Sequence, residues 1–483
     1  MIRRILRNFT WLSAATAIEL GLSMIVTAVL ARRLGPTGFG QYSLWLAFIA
    51  FFTPLYDFGL TPFSLRQVAQ KPEDTARYLR TAIATKVLLS LFGLLIIIGI
   101  AFKLDYFKNT LLGAAFVLLA VSQIAKSFAL LNRAVFRAHE WMHLQTYIGA
   151  ISNIARLSLI LIVILIRPDL LMICLVLAIV NLSEVLISSV LIRRRTPQLS
   201  SVALPHNSKY NIRQLLKQST PFALYDMFNG MYMRADTVLL GIFSGVQPVA
   251  WYSSAYKLAT LVSLLPRTLM DGIYPILCKE SSERVYQLVR RLLLILMGIA
   301  FPISLSLTVL APEIIQLVYG SQYTPAVLAL QILAWASFFV FGSSLLLATL
   351  NALHSENTVA RIMSVIGVGG LISYALSIPK WGYIGASIVS TGIEFAGFLL
   401  MVMVVQQKFK RQMISSGTSL RLLSICGIAL GISWLGVRHA SAFLVLSLVL
   451  PVYVFCFVFV LKNDGWIPEG SMTFLRSLLA FQR

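Results

Sequence analysis

Charge is scarce in this sequence. Of 483 residues only 12% are Asp, Glu, Lys or Arg against 58% hydrophobic, and the mean hydropathy is +0.82. A water-soluble chain of this length needs far more charge to cover its surface, which excludes a soluble enzyme or binding module. Acids are scarcer still, 18 against 40 Lys and Arg. The resulting excess of +22 lies mainly in short segments between apolar runs, so it reads as membrane topology rather than as a nucleic-acid surface. The four cysteines, Cys174, Cys278, Cys426 and Cys456, lie far apart in or beside apolar runs, without metal-ligand spacing, and read as inert. Long polar segments are missing too, and so is the phosphate-cradling pattern GXXXXGK[ST], so no nucleotide-driven step is expected.

What the chain does have is a succession of apolar runs, each long enough to cross a bilayer as a helix. About fourteen spans are predicted, near 11–31, 41–62, 81–102, 110–131, 142–166, 169–192, 218–243, 249–276, 288–311, 325–350, 357–378, 383–406, 420–437 and 441–461, which makes the fold an all-α polytopic membrane protein. "MIRRILRN" and the run after it resemble a signal peptide, but the run is long, lacks a small-residue cleavage site and precedes many more spans, so it is read as the first helix. An even number of spans puts both termini on one face. The segments on that face carry about 27 Lys and Arg, Arg133 and Arg137 among them, and the opposite set carries about 7. The bias makes the termini cytoplasmic.

The longest cytoplasmic segment, "RRRTPQLSSVALPHNSKYNIRQLLK", divides six spans from eight. The start of the second part echoes the start of the first: "VLARRLGPTGFGQYSLW" aligns with "VLLGIFSGVQPVAWYSSAY". Repeats in the same orientation, related by an axis along the membrane normal, are characteristic of transporters that rock one bundle against another.

"ARRLGPTGFGQYSLWLAFIAFFTPLYDFGL", together with "RADTVLLGIFSGVQPVAWYSSAYKL", "PEIIQLVYGSQYTPAVLALQILAW" and "IPKWGYIGASIVSTGIEF", resembles the polysaccharide flippases of the MOP superfamily, the O-antigen (Wzx-type) transporters. The resemblance implies two six-helix lobes around a cavity, 1–195 and 218–410. They are joined by a linker at 196–217 and followed at 411–483 by two more helices and a cytoplasmic tail. It also implies transfer of a polyprenyl-diphosphate-linked oligosaccharide across the bacterial inner (plasma) membrane. Membrane lipids, a polymerase and other polysaccharide-assembly proteins are the implied partners, with no nucleic acid. A multidrug exporter of the same superfamily and a peptidoglycan-precursor flippase have similar physics. A membrane glycosyltransferase or polymerase fits less well, since the chain lacks a sizeable acid-bearing outer loop. No enzyme activity, cofactor or metal is expected.

Ionisable side chains inside spans cost several kcal/mol and usually face a wet cavity or a partner. The candidate cavity cations are Arg156, Arg234, Lys86, Lys126, Lys257 and Arg267. Lys86 and Lys126 lie close enough to helix ends to snorkel instead, and Arg267 can pair with Asp271 on its own helix. Arg156 and Arg234 sit deepest and come from different halves. Asp57, in "PLYDFGLTP", caps a broken helix or binds a coupling proton or sodium ion; Glu19 and Asp226 compete for that role. The stretch Arg32, Arg33, Gly35, Pro36 and Gly38 reads as an outer hinge. Its arginines either anchor the interface or meet an anionic substrate. Accessible tags near Arg194 and Lys410 should label only from the cytoplasm, and tags near Ser321 and Trp381 only from outside. Reversal at either pair overturns the span count.

Overall fold

The computed structural model describes residues 2–103, 109–166, 168–196, 211–413, 416–436 and 441–463, and among these the backbone is helical, with short turns and no strand. Lys108, Arg167, Lys209, Arg438, Arg476, Arg483 and most of 196–217 lie outside the described residues, as do the side chains of Arg3, Arg4, Arg7, Asp271 and Lys462. The described parts of the expected spans fall on helical backbone, apart from end residues and from breaks inside 41–62 and at Ser263 inside 249–276. By length and composition alone, eight described helices can cross a membrane, or nine when Glu19–Phe51 and Thr53–Gln70, bent by 45°, count as one span. Two of the expected spans share the helix Glu356–Phe409, broken at Gly382.

The chain separates into two compact units, residues 1–253 with 374–382, and residues 254–373 with 383–483. The first holds α1 (Ile2–Phe51), α2 (Thr53–Asp57), α3 (Leu60–Gln70), α4 (Thr75–Lys103), α5 (Thr110–Ala138), α6 (Met142–Ile166), α7 (Leu170–Arg195) and α8 (Ile212–Ser244), with the start of α9 (Val246–Val262). Here α5 packs along α7, α1 against α6 and α8, and α3 against α5. Leu60, Phe63, Val68, Tyr78, Ala82 and Leu215 form one buried cluster, and Leu79, Val135, Phe136, Ile148 and Ile192 another. Leu88, Leu91, Phe92 and Leu95 of α4 are exposed. So large an apolar face on one helix belongs against lipid tails.

Two local breaks shape this unit. At Gly35 (φ 66°, ψ 179°) α1 leaves helical geometry for one residue, in a conformation open to glycine but strained for a residue with a Cβ, and Pro36 restarts it. Gly245 (φ 86°, ψ −174°), Gly320 (φ 91°, ψ 174°) and Gly382 (φ 54°, ψ −134°) make the corresponding turns later in the chain. Gly35 precedes Tyr42, and Gly245 precedes Tyr252, by the same interval. The equivalents Thr37 and Gln247 touch, Gln247 Nε2 donating to Thr37 Oγ1 at 3.2 Å.

The second break corrects the single span expected over 41–62. Pro54 opens the short α2, Phe58 (φ 49°) and Gly59 (φ 66°) are left-handed, and α3 restarts at Leu60. A Cβ on Gly59 would run into Phe222 and Ala223 of α8, so the break also brings the two backbones together. A further correction concerns the fourth span. It was expected to end near 131, leaving Arg133 and Arg137 in a loop, but α5 runs on to Ala138. Beyond it the half-buried ring of His139 stacks on Trp141 (centroids 4.6 Å apart) and its Nε2 meets Thr75 Oγ1 at 3.1 Å. Burial pushes the imidazole pKa below its ordinary value.

The second unit contains the rest of α9, then α10 (Leu264–Leu277), α11 (Ser282–Val309), α12 (Ala311–Tyr319), α13 (Ala326–Ala352), most of α14 (Glu356–Phe409), α15 (Ser416–Gly436) and α16 (Ala442–Asn463). Its densest packing is α11 on α13 and α15 on α16. The last two helices dock through a cluster of Phe301, Leu305, Ala429, Val445, Leu446, Val449 and Tyr453, with the rings of Phe301 and Tyr453 stacked at 4.8 Å. At one end Arg411 grips both carboxylate oxygens of Glu283 (2.7 and 2.9 Å), and Tyr286 Oη donates to Gln412 O at 2.7 Å.

Candidate charged site within the first unit

The ionisable side chains of the first unit fall into two buried groups and a few isolated residues. In the first group Lys86 of α4, with no exposed surface, forms an ion pair with Asp57 at the end of α2. Its Nζ also donates to Ser127 O at 2.9 Å and to Thr61 Oγ1 at 3.3 Å, and lies 5.4 Å from the centre of the Phe128 ring. Asp57 in turn accepts from Thr61 Oγ1 (2.7 Å), Thr61 N (3.3 Å) and Ser127 Oγ (3.1 Å). The carboxylate therefore holds the break between α2 and α3, as a cap would, and ties it to α4 and α5. The half-buried carboxyl of Asp226, on α8, lies within electrostatic reach of it.

In the second group Arg133 of α5 is bound by two acids. Its Nε and Nη2 donate to Glu184 Oε1 at 2.9 and 2.7 Å, and Nη1 lies 3.5 Å from Glu19 Oε2. Glu184 on α7 is 3% exposed and Glu19 on α1 is 40% exposed, so the network runs from the interior of the unit toward accessible space. Arg156 on α6 is held differently. Its Nη1 donates to Asn153 Oδ1 (2.6 Å) and its Nη2 to Asn181 Oδ1 (3.0 Å), while Asn181 Nδ2 donates to Ser122 Oγ (2.8 Å) and Ser122 O (3.1 Å). Arg156 Nε is buried without an acceptor among the described residues. Lys126 on α5 is exposed and makes no ion pair among the described residues, yet Arg156, Arg133, Glu19 and Glu184 all act on it electrostatically. Three cations and two acids thus share this region. Both acids are engaged by Arg133, so the surplus positive charge rests on Arg156 and Lys126.

Residues 5–279 match the family described as polysaccharide biosynthesis protein, more than half of the chain. The chain belongs to this family. Over 200 residues it is 25% identical to the probable low-salt glycan biosynthesis flippase Agl15 of Haloferax volcanii, covering 41% of this chain and 42% of that one. Over 395 residues it is 21% identical to a putative O-antigen transporter of Shigella flexneri, covering 80% of this chain and 93% of that one. The match therefore spans less than half the length of the first relative and nearly all of the second. In fold it resembles the lipid II flippase MurJ in its inward closed conformation, with a TM-score of 0.68 over 97% of this chain and 99% of that one, at 14% identity.

Of the residues singled out by sequence in this family member, the structure brings together Lys86 with Asp57, Asp57 with Asp226, and Lys126 with Arg156 and Glu19. Arg234, expected to be deep, is exposed on α8 within reach of Asp236, whose carboxylate accepts from Tyr252 Oη at 2.6 Å. Lys257 and Arg267 belong to the second unit, Lys257 half-buried and Arg267 exposed. Arg32 and Arg33 are exposed beside the Gly35 break, and Gly38 packs on Leu34. Sequence reasoning missed the Arg133–Glu184 pair, because the partners lie on separate helices, and it missed the asparagines. The signal for Asn153 was available: it precedes Arg156 by three residues, on the same helical face.

Removing one partner of a buried ion pair leaves an uncompensated charge and costs about 3–5 kcal/mol. Lys86→Met and Asp57→Asn should each lower the unfolding midpoint in detergent, and the double variant should recover most of the loss. Equal stability of both single variants and the parent contradicts the pairing.

Proposed function

We propose that the chain carries a polyprenyl-diphosphate-linked oligosaccharide from the inner to the outer leaflet of the bacterial inner membrane, by alternating access, for surface polysaccharide assembly. The observation that carries this reading is the un-neutralised charge of Arg156 beside Lys126 in a member of a polysaccharide biosynthesis family. A diphosphate cannot cross hydrocarbon unaided. Arg156 meets it with a guanidinium that has no carboxylate partner among the described residues, and Lys126 adds a second positive charge. Lys86 contributes nothing while Asp57 holds it, so its part is to fix the broken helix. Arg234, Lys257 and Arg267 are kept as further contacts along the route, for phosphate or sugar. Arg32 and Arg33 sit at the exit.

Coupling to a proton or sodium ion falls to Asp226. Asp57 is occupied by Lys86 and Glu19 by Arg133, whereas Asp226 is half-buried and has no ion-pair partner among the described residues. Both termini are cytoplasmic on this reading. Transport is the whole activity, with no chemistry on the substrate, and the polymerase and the other assembly proteins act on what is delivered outside.

Deleting the gene should trap lipid-linked oligosaccharide in the inner leaflet and abolish the surface glycan. Complementation with Arg156→Ala should fail at normal membrane abundance, since losing a charged hydrogen-bond partner costs about 2 kcal/mol, a roughly 30-fold loss in binding. Arg156→Lys should restore part of the export. Intact glycan with raised drug sensitivity would instead identify an exporter, and a block in cell-wall synthesis would identify a peptidoglycan-precursor flippase.

A further inference from the structure

Arg133 and Arg156, both half-buried, differ in one respect that bears on selectivity. Arg133 is bound by two carboxylates, which more than neutralise it. Arg156 is bound by two carboxamides, Asn153 and Asn181, and keeps its full charge. An aspartate at either position would be nearly isosteric and would make a stronger bond to the guanidinium. The use of amides therefore gives up stability and retains charge. The amides are also held in place. Asn153 is 4% exposed and Asn181 3%, and Asn181 spends both amide hydrogens on Ser122, which orients its oxygen toward Arg156.

Lys126 strengthens the case. It and Arg156 repel each other, and the two nearby acids are both committed to Arg133. Glu19 and Glu184 offset part of that repulsion, and an incoming anion offsets the rest.

We propose that Asn153 and Asn181 are positioning residues that hold Arg156 as an un-neutralised cation, and so make this site selective for a multiply charged anion such as a lipid diphosphate over a neutral or zwitterionic lipid. The inference rests on the proposed transport of a diphosphate-linked substrate and adds the residues that set its charge preference. Ser122 acts through Asn181 by fixing which end of the amide faces Arg156. Arg133, by contrast, is excluded from anion binding by its own acids.

The test uses the full chain purified in detergent, with farnesyl diphosphate as the probe and farnesol as the uncharged control. Binding is measured by calorimetry and stability by thermal unfolding. The parent should bind the diphosphate and not the alcohol. Asn153→Asp should weaken diphosphate binding more than tenfold while the unfolding midpoint holds or rises, because the new acid satisfies Arg156. Asn153→Ala, which leaves the arginine charged, should bind more tightly than Asn153→Asp despite being less stable. Asn181→Asp poses the same question from the neighbouring helix should Asn153→Asp not insert. If the parent binds no diphosphate, the transport reading itself fails. If the parent binds and both aspartate variants bind equally well, transport survives and the amides have no part in selectivity.

Discussion

A charged side chain in hydrocarbon needs an opposite charge, a set of dipoles or water, and the structure depends on how each one obtains its partner. In the first unit all three solutions occur. Lys86 and Arg133 take carboxylates, Arg156 takes carboxamides, and Lys126 and Arg234 stay accessible. The first solution cross-links helices. Asp57 joins the broken α2–α3 segment to α4 and α5, and Arg133 joins α5 to α7 and α1. The other two leave charge available. Charges that cross-link helices and charges left available thus differ in the kind of partner they have.

The glycine-built turns set the frame for this arrangement. At Gly35, Gly245, Gly320 and Gly382 the chain reverses between helices through one residue of positive φ, with little polar loop. Short connections leave no separate domain on the described parts of either unit, so the chemistry must be done by side chains on helices. That is why the asparagines matter. An amide in a helix interior costs packing and desolvation unless it is fully hydrogen-bonded, and Asn181 is bonded through both its donors and its acceptor.

Much of this was legible in the chain. The apolar runs located the helices, Gly35 and Pro36 the first kink, and "PLYDFGLTP" the broken helix around Asp57. The echo between 29–45 and 238–256 falls on similar glycine turns at Gly35 and Gly245, and Thr37 and Gln247, two residues beyond them, touch. What stayed hidden were partners brought from distant parts of the sequence. Nothing local connects Arg133 with Glu184 or Lys86 with Asp57, because a helix face is periodic but does not name its neighbour. Arg133 was read as a topology signal because a positive charge near a helix end serves that purpose equally well. Arg156 was recognised as deep, but its ligands were expected to be water or an anion, and two of its donors are met by the protein itself.

On the proposed transport, Arg156 in its amide cradle, with Lys126, holds a lipid diphosphate on its way through the membrane. The most direct measurement is flipping of a fluorescent polyprenyl-diphosphate-linked oligosaccharide in proteoliposomes containing only this chain, followed by dithionite quenching from outside. The parent chain should transfer the charged carrier in a way that inorganic pyrophosphate inhibits, and should not accelerate transfer of the same oligosaccharide on a neutral polyprenyl carrier. Equal transfer of the charged and neutral carriers would contradict this reading.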